Sequence, residues 1–455
     1  MMLVNQEALT YFAANYDRFM ERLKGLLKIP SISTDPNRKT DIHAAAAFLQ
    51  EYLEELHFKN VTVFQTTGHP IVYGELTSSK ENAPTLLIYG HYDVQPADPI
   101  KEWNSSPFAP TVRDEYLYAR GASDMKGQIM ACLFAIESVS KTSELPVNIK
   151  VMFEGEEEIG SPSLDSFIEN HSSLLSTDVI LNPDAGMVSA DKPTIVYGLR
   201  GLAYFELTIN GPKADLHSGQ FGGIVHNPAI ILSELISALH DSEGRVTLPG
   251  FYDSVRGISA EEKERIASLN LDDAHYLGLT GVKELYGEAG FSQLERLGAR
   301  PTLDVNGLYS GFIGEGAKTI IPAFARAKIS CRLVPDQDPE EVYNQLMAFL
   351  KAHMPSTATW NLIKMSGAPA YIAESAPGVK ILTEALETAW GTKVAFKREG
   401  GSVPVATAFK HFLGVDSILT GFGLPDDQIH SPNERLHLPT WQKGIKALIL
   451  FLQGF

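Results

Sequence analysis

Apolar side chains recur at spacings of three and four along residues 6–27, with Leu9, Phe12, Tyr16, Phe19, Leu23 and Leu26 on one stripe. That period predicts one amphipathic helix, and a second is predicted over residues 41–57. Short β-rich runs follow at VTVF (61–64), PIVYGEL (70–76) and TLLIYGH (85–91), then a helical pattern at 126–139. The runs VNIKVMF (147–153) and STDVILN (176–182) continue the alternation. Their unbroken apolar character suits strands buried on both faces, so the expected core is α/β with a mostly parallel sheet.

From residue 199 the texture changes to YFELTING and a helix from Pro228 to His240, with Asn227 as N-cap and Pro228 in the first helical position. A charged, irregular stretch spans 253–300. After it KISCRLVP (328–335) reads as a strand, PEEVYNQLMAFLKAH (339–353) as a helix and TWNLIKMS (359–366) as a strand, the order of a separate α+β unit. From residue 374 the first texture resumes with a helix, the strand KVAFKRE and a helix at 439–453. The expected organisation is a first domain over 1–198 and 371–455, with a second inserted at 199–370.

A chain of 455 residues with 44% hydrophobic content can bury two such cores. The balance of 38 basic against 55 acidic side chains, a net charge of −17, argues against nucleic acid as a partner. The N-terminus lacks a basic region followed by an apolar one, and no apolar run reaches membrane-spanning length, so the expected location is cytoplasmic. Cys132 and Cys331 cannot build a four-thiolate site. Any metal must therefore be held by His and carboxylate.

Candidates for that chemistry sit where apolar runs end. His91 and Asp93 close TLLIYGHYD at positions i and i+2, so their side chains leave one face. Asp124 precedes the helical run from 126, where a carboxylate can also serve as a cap. Asp184 follows STDVILNP, where an Asx turn is the ordinary reading, and His430 lies in the polar turn DQIHSPNER after SILTGFG. The run FEGEEEIGS (153–161) places Glu154, Glu156, Glu157 and Glu158 after a buried strand, although like charges ordinarily mark a solvated face. Each residue alone is weak, but four predicted strands ending in His, Asp or Glu match the way open α/β sheets gather a site. One His with Asp124 and a Glu, and Asp184 with His430 sharing Asp124, would supply mixed N and O ligands for two divalent ions. Two ions ~3.5–4 Å apart polarise a carbonyl and acidify water, and a surplus glutamate is available as base.

GHYDVQP, ARGASDMKG, EGEEEIGS, DLHSGQFGG, CRLVPDQDPEE and EGGSVPV occur in one order across essentially the whole chain. In that order they resemble the dinuclear metallopeptidases that include carnosine dipeptidase, carboxypeptidase G, aminoacylase, acetylornithine deacetylase and succinyl-diaminopimelate desuccinylase, with the dipeptidase branch nearest. The resemblance implies that His91 and Glu158 hold one ion, that Asp184 and His430 hold the other, and that Asp124 bridges them. It makes Glu157 the general base and gives Asp93 a hydrogen bond to the other ring nitrogen of His91. The family's two adjacent catalytic glutamates are followed by one variable residue, here Ile159, and then by Gly160 and Ser161. That count leaves Glu156 as a solvated charge and Glu154 as support. The peptide bond after Asp124 is expected to be cis.

The inserted unit resembles a lid or dimerisation domain. Its His217 resembles a residue that stabilises the oxyanion, often from a partner subunit, although DLHSG can also be a plain tight turn. Arg332 resembles the residue that grips the substrate carboxylate; its ordinary alternative is pairing with Asp336 or Glu340. Gly401 and Ser402 would present backbone N–H groups and Thr319 a polar contact. The implied activity is hydrolysis of an amide bond in a dipeptide or small peptide with a free C-terminal carboxylate, by a metal-bridging water that Glu157 activates. An N-acyl-amino-acid deacylase or desuccinylase is the alternative among enzymes, and a non-catalytic metal-binding homologue the alternative outside them. Two divalent ions, zinc first with manganese or cobalt next, and a homodimer through the inserted domain complete the expectation.

Overall fold

The run TLLIYGH forms the strand Thr85–His91, flanked on one side by Asn148–Glu154 and on the other by Val179–Asn182, both parallel to it. Ser417–Thr420 adds a fourth parallel strand beyond Val179–Asn182. Outside this centre the sheet is antiparallel: Lys59–Phe64 pairs with Ile71–Leu76, that strand with Asn148–Glu154, and Thr194–Leu199 with Ser417–Thr420. The sheet is therefore mixed rather than mostly parallel. The connection at 65–70 is too short for the crossover that parallel strands need, so the first two strands can only fold back on each other.

The computed structural model describes residues 6–373, 376–401 and 404–455, which divide into two units. The first unit is Met1–Tyr197, Ala373–Phe396 and Pro404–Phe455; the second is Gly198–Ile372 and Lys397–Val403. Residues 397–401, which the sequence pattern places in the first domain, thus group with the second unit.

In the first unit the helix Lys126–Ser140 is buried on every face. Phe134 stacks on Phe19 at 4.3 Å between centroids and meets the edge of Trp441 at 6.0 Å. Burial of one such ring contributes ~1.5–3 kcal/mol. Trp441 Nε1 donates to the Gly127 carbonyl at 2.8 Å. A Cβ on Gly127 would stand 2.1 Å from the Ala122 carbonyl oxygen, so no larger residue fits where this helix leaves the turn carrying Asp124. The single helix expected at 6–27 is two, Gln6–Ala14 and Tyr16–Leu27. Asn15 leaves helical dihedrals (φ −108°, ψ 10°) and its amide donates to the Tyr11 carbonyl, a local competition that asparagine favours. The apolar stripe survives the break, with Phe12, Phe19, Leu23 and Leu26 all buried. Pro404–Leu413 is a further helix that the pattern did not resolve.

The second unit has a four-stranded antiparallel sheet in the order Thr302–Ser310, Phe324–Leu333, Gly201–Asn210, Thr359–Ala368. Gly201–Asn210 alternates buried and half-buried positions, and Phe205, Leu207 and Ile209 share a core with Ile231 and Leu235 of helix Pro228–Ser237 and Leu346 and Phe349 of helix Pro339–His353. The stretch 253–300 is less irregular than its composition suggests. It holds the helices Ala260–Ala267, Asp273–Thr280 and Gln293–Gly298, capped by Ser259, Asp272 and Ser292. Each is too short for a hydrophobic period to stand out, whereas its cap is readable.

Among the described residues no helix is long and apolar enough to cross a membrane.

Candidate metal centre

His91 ends its strand with the ring fully buried, and Asp184 lies two residues beyond the end of the parallel neighbour Val179–Asn182. The turn there is held by the Asp184 N–H, which donates to Asn182 Oδ1 at 3.0 Å. His91 Nε2 is consequently 3.9 Å from Asp184 Oδ2 and 3.1 Å from Asp124 Oδ1. The other oxygen of Asp124, Oδ2, lies 2.9 Å from His430 Nε2, which is also 3.2 Å from Glu158 Oε2. The Asp124–Met125 peptide bond is cis.

The donor atoms form two groups that share Asp124: His91, Asp124 and Asp184, and Asp124, Glu158 and His430, each within 4.8 Å. The pairing expected from the sequence is thereby exchanged, since His91 goes with Asp184 and Glu158 with His430. The turns after the strands are the reason, since the strands that precede Asp184 and Glu158 both lie beside that of His91. Asp184 stands two residues past its strand, and Glu158 four residues past its own, in the helical turn Glu157–Ile159.

Asp93 organises the glutamates as well as the imidazole. Its Oδ1 accepts from the Glu157 N–H at 3.2 Å and its Oδ2 from the Glu158 N–H at 3.1 Å. His91 Nδ1 lies 3.4 Å from Asp93 Oδ1 and 3.2 Å from the Asp93 carbonyl oxygen. Gln95, which sequence reasoning passed over although it belongs to GHYDVQP, donates to Glu158 Oε2 at 2.8 Å.

Glu156 is not a solvated charge. It is 2% exposed, and its oxygens accept from the N–H groups of His69 at 2.8 Å and Ser163 at 3.1 Å, joining two loops beneath the site. Glu154 is buried between the Tyr89 and Ser161 hydroxyls at 2.7 and 3.0 Å. Burial pushes its pKa up to about 8.

The convergence of carboxylates and imidazoles shapes their titration. Burial alone would strip the proton from His91, yet hydrogen bonds with Asp124 and Asp93 carry its pKa well above the ordinary imidazole value. Hydrogen bonds with Asp124 and Glu158 raise His430 to about 10. Against the effect of burial, hydrogen bonds with His430 and His91 pull Asp124 below the usual carboxylate range. Burial drives Glu157 well above that range, opposed by His91 and reinforced by Asp184, Asp124 and Glu158. Imidazole nitrogens and carboxylate oxygens in this proportion suit borderline divalent ions such as zinc or manganese.

One consequence is measurable. His430 holds its proton up to about pH 10 in the metal-free protein, so ion binding near pH 7.5 is expected to release protons and to tighten as pH rises toward 10. Calorimetry of Zn2+ binding in two buffers of different ionisation enthalpy reads this, and zero release would remove His430 from the donor set. The sign for stability is opposite. The raised pKa contributes metal-free stability that is fully present below about pH 6.5, the ordinary imidazole value, and lost as pH rises through about 10.

The remaining expected residues belong to the second unit. His217 is exposed, accepts from the Gly219 N–H through Nδ1 at 2.9 Å and pairs across a short bridge with Ile320. The Ser218 N–H donates to the Thr319 carbonyl at 3.0 Å, which brings Thr319 beside it. Arg332 stands opposite Thr302 and Leu202 in the sheet. Of the acidic residues near it in sequence, Asp336 pairs with Arg256 and Glu340 with Lys364. Arg200, not singled out from sequence, joins this group. It donates to the Gly400 carbonyl at 3.2 Å and is buried, and burial together with Arg332 lowers its pKa to about 10. The signal available was a lone arginine in YGLRGL, between two apolar strands. Gly401 is exposed, and Ser402 lies outside the described residues.

Comparison with known proteins bears on this geometry. The family model described as Peptidase family M20/M25/M40 matches residues 87–454. A Cys-Gly metallodipeptidase of Candida albicans is 32% identical over 95% of this chain and 93% of its own length. The human Beta-Ala-His dipeptidase is 30% identical over 98% of this chain and 92% of its own. Among solved structures, an M20 family metallo-carboxypeptidase from Sulfolobus solfataricus is similar with a TM-score of 0.86 and 37% identity, covering 96% of this chain and 98% of that one.

Proposed function

The chain belongs to peptidase family M20/M25/M40 and is a hydrolase of that family, and from that premise we propose that it cleaves the amide bond of dipeptides carrying a free C-terminal carboxylate. The observation that carries this reading is the position of Glu157, whose Oε2 lies 4.0 Å from His91 Nε2, beside two donor groups that share Asp124. His91, Asp184, Asp124, Glu158 and His430 would hold two divalent ions. Bound there, the ions would polarise the amide carbonyl and make water acidic near neutral pH.

The chain's own groups do the rest. Glu157, held high in pKa by its buried setting, takes a proton from the attacking water and passes it to the leaving amine. Asp93 fixes the His91 ring through Nδ1 and sets the backbone of both glutamates. In this proposal His217 donates to the developing oxyanion, and Arg332, with Thr319 and the N–H groups at Gly401 and Ser402, receives the substrate carboxylate. A homodimer through the second unit fits the exposed Ile224, Leu308, Phe312 and Ile313 of that unit.

The test is hydrolysis of Cys-Gly and β-Ala-His, against N-acetyl amino acids and longer peptides trimmed at the C-terminus, with Zn2+, Mn2+ or Co2+ added to metal-stripped protein. Dipeptides are expected to be the best substrates. Turnover confined to N-acetyl amino acids would replace the proposal with deacylation, and no turnover with any ion would end it. Sedimentation of the same preparation at micromolar concentration reads the dimer, and a monomer with full activity removes that part.

A further inference from the structure

The loop that carries Asp124 and the loop that carries His430 are fastened together by a carboxylate that is itself no candidate ligand. Glu434 is fully buried, and the donors around it come from one turn. Its Oε1 accepts from the N–H groups of Ser123 and Asp124 at 3.0 and 3.1 Å. Its Oε2 accepts from the Gly121 N–H at 3.0 Å and from Arg120 Nη1 at 2.7 Å. The Glu434 main-chain carbonyl also accepts from the Ala119 N–H at 3.1 Å. Four donors thus fill a carboxylate's four acceptor directions. The Arg120 guanidinium balances the buried charge, and its Nη2 reaches back to the Ser431 carbonyl at 3.3 Å, one residue after His430.

The clamp has a second tie. Asp427 Oδ2 accepts from the Ser123 hydroxyl and the Leu424 N–H, both at 2.8 Å. Between these ties the His430 loop turns sharply, with Gln428, His430 and Asn433 at φ values of 56°, 63° and 65°. That region is uncommon for residues other than glycine, although asparagine and histidine enter it more readily than most, and here the ties at Asp427 and Glu434 bracket the turn.

We infer that Glu434 is a positioning residue that presets the approach of Asp124 to His430, and so the spacing of the two metal-binding groups, before any ion arrives. The inference rests on the proposed reading of Asp124 and His430 as ligands. A carboxylate suits this role where an amide would not: Glu434→Gln turns one acceptor oxygen into a donor facing two N–H groups, so one half of the clamp repels.

The experiment uses metal-stripped full-length protein with Mn2+ or Co2+ alone as probe. In Glu434→Gln, binding of at least one ion is expected to weaken by ~10–100-fold, with an altered Co2+ visible spectrum. At saturating metal, KM for a dipeptide should stay unchanged. A folded variant with wild-type ion affinities and Co2+ spectrum overturns the inference. If the glutamine variant does not fold, Glu434→Asp is judged by the same readouts. Hydrogen exchange on the metal-free wild type decides without any variant. The amides of Gly121, Ser123 and Asp124 are expected to be protected before metal is added, and protection that appears only with metal refutes a preset loop. Failure of wild-type protein to bind either ion would instead overturn the proposed metal centre, and the exchange result would still judge the clamp.

Discussion

Replacing Glu157 by alanine is expected to lower kcat by ~10²–10⁴-fold or more, the range for loss of a general base, while the two-ion content stays near that of the wild type. The asymmetry follows from how the residue is held. Its backbone is fixed by the bond from its own N–H to Asp93 Oδ1, and that of Glu158 by the bond to Asp93 Oδ2. Deleting the Glu157 side chain should therefore leave Glu158 where it was. What is removed is a carboxyl whose affinity for a proton is raised by burial and by Asp184, Asp124 and Glu158. Glu157→Gln should behave alike, because it keeps the volume and loses the basicity. Steady-state kinetics with metal analysis of the same sample provides the check. A variant that retains kcat within tenfold assigns the base elsewhere, and one that loses its metal makes Glu157 a ligand.

The second large effect is expected for Asp124→Asn. Asp124 faces His91 with one oxygen and His430 with the other, at 3.1 and 2.9 Å. The amide keeps one acceptor and discards the negative charge, so both donor groups lose their shared member. Ion affinity should fall by more than the ~10–100-fold that follows from removing a partner behind a ligand. Activity should drop to background at ordinary ion concentrations. In the metal-free variant the His430 pKa should fall from about 10, since its bond to Asp124 is the largest cause of the elevation. An NMR titration of the imidazole checks this independently of catalysis. Two tightly bound ions in the variant, or an unchanged His430 titration, would deny Asp124 its bridging place.

Much of the candidate site was legible because its residues stand at ends of regular elements. Thr85–His91 and Pro339–His353 coincide with the runs read as strand and helix, and a strand that ends in His-x-Asp presents two polar groups to one face. The glutamate count in EGEEEIGS led to Glu157 and Glu158, the two whose N–H groups Asp93 holds. The same count misjudged Glu156, since nothing local shows that the N–H groups of His69 and Ser163 will close over it. A carboxylate with two backbone donors can be buried, whereas the same residue without them would be solvated.

By itself the sequence determined which residue types gather at the strand ends, the alternation that makes an α/β core, and the change of texture that marks a second unit. These are local properties, set by periods of 2 and 3.6 and by caps and turns. Tertiary structure decided which of those ends become neighbours. Asn148–Glu154 and Val179–Asn182 both lie beside Thr85–His91, and it is the turns after them that put Asp184 with His91 and Glu158 with His430. It also decided that Glu434, more than 300 residues from the turn it fastens, would meet four donors there. Neighbour choice depends on sheet order and on distant backbone N–H groups, and no stretch of one strand encodes either.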